Sequence, residues 1–244
     1  MISLPGKCRI HRDSFMKYLL HYGIQRSSTN YLEELVIRNY RVRFLNDDTF
    51  RDHPLHKHFR LYDNKKIIAD TAFSNDLHFK DFSGFTGAME LSDEPAGILV
   101  ISKDPYSWLI SYRRWAKKFN WSAVDFHYIE EYNLFYGKWM QFAREDPRIL
   151  FIRYDELLED PRKVLKIIEE QFGLELKRVR KLAGRKVNLS KVARSRRFNR
   201  DRRIYYLQKG YLSEFDEASL KEVNMLLDQD LMGFMGYPVI DRAL

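Results

Sequence analysis

Short, nearly unbroken apolar runs alternate with longer amphipathic ones along the first two thirds of the chain. Residues 17–23 (KYLLHYG) form an apolar run that breaks into a polar loop at 24–30, which predicts a buried strand. Residues 31–39 follow with apolar Tyr31, Leu32, Leu35 and Val36 spaced along one helix face. Residues 40–45 and 66–69 are further strand candidates, and the polar, His-rich stretch 53–61 reads as loop. Residues 97–102 (GILVIS) are the clearest buried strand; Lys103 and Asp104 end it, and Pro105 is placed to begin a helix that continues to Lys118. Residues 122–145 read as one long aromatic-rich helix opened by Ser122 and Asp125. Residues 148–154 (RILFIRY) predict a strand, after which Asp160 caps a helix with Pro161 in its first position and Gly173 at its end. Residues 216–227 form a last amphipathic helix.

This alternation predicts an α/β fold, with a parallel central sheet flanked by helices and its strand-to-helix loops gathered along one edge, where ligands bind. The 244 residues suffice for one sizeable domain, and the chain is read as a single domain over 1–244 without internal repeats. No apolar run approaches the roughly 18–20 residues of a membrane span. Lys7, Arg9 and Arg12 have no continuous apolar run behind them, so no secretory signal is expected. The single cysteine, Cys8, excludes an internal disulfide framework and a Cys-rich metal site, and a cytoplasmic location is the expectation.

The formal charge of +8 favours anionic partners such as nucleotides, nucleic acid or acidic glycans without choosing among them; a solvated basic surface is the plainer alternative. Thirteen Lys and Arg side chains against one acid, Asp201, fall in residues 177–203, which read either as a mobile loop or as a surface meeting a polyanion. Phe198 is the one aromatic interleaved there before Tyr205 and Tyr206, too few for a stacking surface, which argues against a nucleic-acid partner.

The stretch Gly23-Ile24-Gln25-Arg26-Ser27-Ser28-Thr29-Asn30-Tyr31-Leu32 carries the most chemistry. Between a strand and a helix, the first-turn amides point outward without internal partners and the helix dipole adds positive character, so phosphate oxygens are a natural occupant. Ser27, Ser28 and Thr29 add small donors and Arg26 a fixed charge; the plainer alternative is an ordinary helix start capped by one of the three. The kinase pattern G-x-x-x-x-G-K-[ST] is absent.

The loop resembles the 5′-phosphosulfate loop of the sulfotransferase family, P-[KR]-S-G-T-T-x-x-L. Arg26, Ser27 and Thr29 match, while Gln25, Ser28 and Asn30 replace Pro, Gly and Thr. A left-handed conformation at position 28 would strain Ser where Gly is free. Lys103-Asp104-Pro105 with Ser111-Tyr112 resembles the family's 3′-phosphate element, R-[DN]-P followed by Ser-Tyr, with Lys103 in place of Arg. Lys supplies charge without the bidentate fork. Residues 152–161 (IRYDELLEDP), followed by Phe172-Gly173-Leu174, resemble the family's R-Y-E-D-L-x-x-D-P segment, and Tyr206-Leu207-Gln208-Lys209-Gly210 its R-K-G element, with Gln208 replacing Arg. The resemblance runs from about residue 17 to 237. It implies a fold related to the nucleotide kinases and a 3′-phosphoadenylyl sulfate (PAPS) donor with adenosine 3′,5′-bisphosphate as product and no metal. It also implies donor contacts from Arg26, Ser27, Ser28, Thr29, Asn30, Tyr31, Lys103, Ser111, Tyr154, Gln208, Lys209 and Gly210. The expected acceptor is a hydroxyl or amine of a small molecule or an anionic glycan.

Arg26 suits the charge that builds on the leaving oxygen. A hydroxyl acceptor also needs a base, and His53, His56 and His58 cluster in residues 51–59. Lys57-His58 resembles a Lys-His pair of some bacterial members, which favours His58; His56 and Asp70 are its rivals. Tyr112, Trp115, Phe119 and Trp121 suit either an acceptor pocket or core packing. A P-loop kinase and a non-catalytic nucleotide or polyanion binder are the alternatives to a transferase.

Overall fold

The computed structural model describes residues 16–46, 53–61, 79–91, 93–121, 123–177 and 200–241. The strand candidate at 66–69, the rival base Asp70 and most of the basic segment, 178–199, lie outside the described residues. Four strands, β1 (Lys17–Tyr22), β2 (Val42–Phe44), β3 (Gly97–Ser102) and β4 (Ile149–Arg153), form one sheet in the order β2-β1-β3-β4. Every pairing is parallel, with Leu20 opposite Ile98 and Val100 opposite Phe151.

A parallel sheet is covered on both faces, so its strands read as continuous apolar runs. All six residues of β3 are buried. Alternation divides them: Leu20, Tyr22, Ile98 and Val100 face one core, and Leu19, Leu99 and Ile101 the other. The first core is closed by α2 (Phe82–Ala88), α3 (Pro105–Lys118), α4 (Tyr128–Glu145), α8 (Glu217–Leu226) and α9 (Gln229–Met235). The second is closed by α1 (Thr29–Asn39), α5 (Tyr154–Glu159) and α6 (Pro161–Phe172). A last helix, α7 (Arg200–Leu207), runs into a 3-10 turn at Gly210–Glu214.

Local chemistry sets the helix starts. The Asp104 carboxylate accepts from the Ser107 amide at 2.9 Å, with Pro105 at the first helical position of α3. Asp160 accepts from the Arg162 and Lys163 amides ahead of α6, which Gly173 ends with φ 58°. The long aromatic helix does not begin at residue 122. Asn120, with φ 50°, follows the end of α3, and Trp121 folds back on Trp115 and Tyr112. α4 then starts at Tyr128, where the His127 ring accepts from the Ile129 amide and Glu130 reaches back to the His127 amide. A histidine cap carries no sequence signature as strong as a serine, which is why the start is misplaced by sequence.

β1 and β3 are neighbours, yet the chain leaves β1 for α1 on one face and β3 for α3 on the other. Their outgoing loops diverge and open a crevice at the strand ends, the position where doubly wound sheets bind ligands.

Candidate active site

The β1–α1 loop is held from two sides. The Gly23 amide donates to the Lys57 carbonyl at 3.1 Å, and the Trp108 indole of α3 donates to the Gln25 carbonyl at 2.8 Å. A tight turn joins the Ser27 amide to the Ile24 carbonyl at 3.0 Å. At Gly23 a Cβ atom would stand 2.4 Å from Ser27 Oγ and 2.8 Å from the Ile101 carbonyl oxygen, so no side chain fits where the loop crosses the end of β3. Arg26 and Ser28 both take left-handed conformations, with φ 75° and 81°. For a non-glycine residue such a conformation costs on the order of 1–3 kcal/mol and gathers at ligand-binding sites. Ser28 occupies the N-cap position of α1 without capping it through its side chain; its hydroxyl pairs instead with the Tyr154 phenol. Among the described residues no side-chain cap therefore closes off the first-turn amides of this 11-residue helix.

The second half of the site stands at the end of β3. Tyr136 and Tyr132 of α4 donate to the carbonyl oxygens of Ile101 at 2.9 Å and Lys103 at 2.7 Å, fixing that strand end. The buried Lys103 ammonium donates to Ser111 Oγ at 2.7 Å and to the Tyr206 hydroxyl at 3.4 Å. It also lies 4.4 Å from the centre of the Tyr206 ring and 5.7 Å from that of Tyr154. Burial pushes its pKa down to about 8; Tyr206 opposes this, while the charges of Arg26 and Arg202 add to it. Two cations from opposite sides of the crevice, Arg26 and Lys103, thus feel one another.

Tyr154 links the two halves. Its hydroxyl meets Ser28, and its ring lies 6.4 Å from Tyr31 and 5.4 Å from Tyr206, edge to face in both cases. A cavity of about 310 Å³ opens beside it, lined among others by Lys103, Asp104, Arg153, Tyr154, Tyr206 and Lys209. A larger cleft of about 660 Å³ lies at the far end of α1, between Tyr40, Arg162 and Glu169, and holds none of these groups.

His58 reaches the loop from the segment 53–61. Its Nδ1 hydrogen-bonds the Gly23 carbonyl oxygen at 2.6 Å, and because a carbonyl only accepts, that nitrogen carries the hydrogen. Nε2 is then the basic nitrogen. Burial pushes the pKa of His58 well below the usual value, against the pull of the Gly23 carbonyl and with added repulsion from His56 and Lys57, so the ring is neutral at pH 7. The rival His56 is buried, and its Nδ1 accepts from the His58 amide at 3.2 Å.

The expected donor contacts do not all converge. Arg26, Ser27, Ser28, Thr29 and Tyr31 belong to the loop and its first helical turn, with Ser27 and Thr29 buried and Asn30 exposed. Lys103, Ser111 and Tyr154 join them through the contacts above. Lys209, with φ 53°, lines the cavity, and Gly210 follows it under the Tyr205 ring. Gln208 is exposed and makes its backbone bond to Ile204 at 2.8 Å as α7 ends. Tyr112, Trp115, Phe119 and Trp121 pack against one another in a run of ring contacts that leads from Tyr112, sealed in the core, to Phe119, 55% exposed.

Two features escaped the motif reading. Arg60, two residues beyond His58, is 3% exposed and pairs with Glu131, 1% exposed, through two nitrogens, with the Tyr112 hydroxyl bonded to both partners. Arg202, hidden among the many cations of the basic segment, lies 5.8 Å over the Tyr206 ring. Among the described residues no three His, Cys, Asp or Glu side chains gather as a metal site would require, and no helix is long and apolar enough to cross a membrane.

A strand-to-helix loop and a Lys-Ser pair thus stand at the strand ends of one parallel sheet. The sequence model of the sulfotransferase domain matches residues 87–224, more than half of the chain, and the chain belongs to the sulfotransferase family. The match includes Lys103, Ser111, Tyr154 and 206–210; the β1–α1 loop and His58 precede it. Searches of curated proteins and of solved structures gave no match.

Proposed function

We propose that this chain transfers a sulfuryl group from PAPS to a hydroxyl or amine of a small-molecule or glycan acceptor, as one domain over 1–244. The observation that carries the reading is the position of Tyr154, in contact with Ser28 and Tyr31 on one side and with Lys103 and Tyr206 on the other. That position supports a reading in which one nucleotide, with separate 5′ and 3′ phosphate groups, reaches Arg26 with one and Lys103 with the other. The residues fit such a ligand: the close approach at Gly23, the left-handed Arg26 and Ser28, the uncapped start of α1 and the Lys103–Ser111 pair all suit phosphate oxygens.

When bound, the donor supplies the activated sulfuryl group. Arg26 stabilises the negative charge that develops on the leaving oxygen. Lys103 and Ser111, with Lys209, hold the 3′-phosphate and orient the nucleotide, and Tyr154 lies against the adenine. His58, neutral with a basic Nε2, takes the proton of an acceptor hydroxyl. A cytoplasmic setting fits the single cysteine.

Thermal unfolding tests the reading, because a ligand specific for the folded state raises the melting temperature with its concentration. Adenosine 3′,5′-bisphosphate should stabilise the protein and ATP with Mg²⁺ should not. Stabilisation by ATP with Mg²⁺ alone would point to a kinase, and stabilisation by neither would overturn nucleotide-dependent transfer.

A further inference from the structure

The Lys103 cluster already has an anion-like occupant. The Tyr206 hydroxyl is 3.4 Å from Lys103 Nζ, which holds Ser111 at 2.7 Å, and the Arg202 guanidinium lies over the same ring. Tyr154 of α5 and Tyr205 of α7 pack edge-on at 5.4 and 5.3 Å. Arg26 adds its charge from beyond Lys103. The nearest acid on the adjoining 3-10 turn, Glu214, is taken up by Tyr205 at 2.6 Å and Arg114 at 2.6 Å. Three carboxylates, Asp104, Asp155 and Glu159, line the same cavity; Asp104 is bonded by the Ser107 amide and Asp155 by Arg153, and the groups that act most on the Tyr206 phenol are Lys103, Arg202 and Ser111.

We propose that Tyr206 is a built-in competitor for the phosphate monoester of the donor: its hydroxyl holds Lys103 and Ser111 in the free protein, and phosphate binding displaces it and returns a proton to the phenol. The proposal rests on the donor reading above and adds a pH-dependent gate to it. Burial alone would raise the Tyr206 pKa, but the charges of Lys103 and Arg202 and hydrogen bonds with Arg202 and Ser111 bring it down to about 7. The phenol and the Lys103 ammonium titrate together as a pair, and the free site closes on itself through their contact, as phenolate and ammonium once the phenol has ionised. Entry of a phosphate dianion removes the cations from the phenolate, whose proton affinity then rises. Binding accordingly takes up one proton, and affinity falls by up to about tenfold per pH unit above the ionisation.

The experiment is a pH titration of tyrosinate absorbance on the full chain, alone and with saturating adenosine 3′,5′-bisphosphate, for wild type and Tyr206→Phe. The expected result is one tyrosinate step near pH 7 in the free wild type, suppressed by the bisphosphate and missing from Y206F. Absorbance reports phenols alone, so titration of Lys103 does not confuse it. A wild type without the step, or a step unmoved by a bisphosphate that does bind, would overturn the proposal. If the bisphosphate gives no thermal stabilisation at any pH, the donor reading falls instead. Inorganic phosphate then decides the gate: suppression of the step supports it, and an unchanged step overturns it.

Discussion

The imidazole of His58 and the carbonyl oxygen of Gly23 lie 2.6 Å apart, so the residue that follows β1 also fixes which nitrogen of the proposed base carries its hydrogen. Since the Gly23 amide donates to the Lys57 carbonyl, the histidine segment and the β1–α1 loop are joined by two hydrogen bonds at one glycine.

His58→Ala should lower sulfuryl transfer to a hydroxyl acceptor by about 10²–10⁴-fold, the usual worth of a general base. It should leave the bisphosphate-induced rise in melting temperature intact. Single-turnover transfer beside a thermal shift checks both.

The folded His58 resists protonation while the unfolded chain takes up a proton near the ordinary histidine value of 6.5. Below that pH the unfolded state binds more protons than the folded one, so stability falls as pH falls. Denaturant titrations from neutral pH down to about pH 5 should show this loss, and His58→Gln should reduce it.

Arg26→Ala should abolish transfer with a modest loss of bisphosphate binding, and Lys103→Ala should chiefly weaken binding. Lys103→Arg should recover affinity, because a guanidinium grips phosphate through a bidentate fork. Isothermal titration with the bisphosphate, paired with a transfer assay, separates the two effects.

Ser28→Gly should stabilise the protein by up to about 1 kcal/mol, since glycine adopts the left-handed conformation without steric cost. The midpoint of urea unfolding measures it.

Glu131→Ala leaves the Arg60 charge buried and should cost about 3–5 kcal/mol, whereas replacing both partners by apolar residues of similar volume should recover most of that loss. Chemical denaturation of the single and double variants measures both. The double variant should also loosen His58, seen as a rise of its NMR-measured pKa toward 6.5.

Much of the frame was legible in the sequence because its signals are local. The apolar runs of β1, β3 and β4, the Asp-Pro starts of α3 and α6 and the loop after β1 each announce themselves within a few residues. The strain at Ser28 could be foreseen, since a serine stands where the family pattern has glycine. What could not be read is long-range pairing. Arg60 looks like one more cation in a polar loop and Glu131 like one more acid on a helix, and only the fold brings together two charges 71 residues apart. Tyr206 is legible as an aromatic beside the Lys209-Gly210 pair, but nothing local sets its hydroxyl against Lys103, 103 residues away.

The strand order has a practical result. β1 runs between β2 and β3, and both β1 and β2 precede residue 87, where the family match begins. A fragment trimmed to 87–224 would keep β3 and β4, half of the sheet, and expose the flank of β3 that β1 normally covers. It would also lack Gly23, Arg26 and His58. Such a piece would be recognised by its sequence as a member of the family, yet it would aggregate through an open apolar edge and lack the loop proposed to seat the 5′ end of a nucleotide.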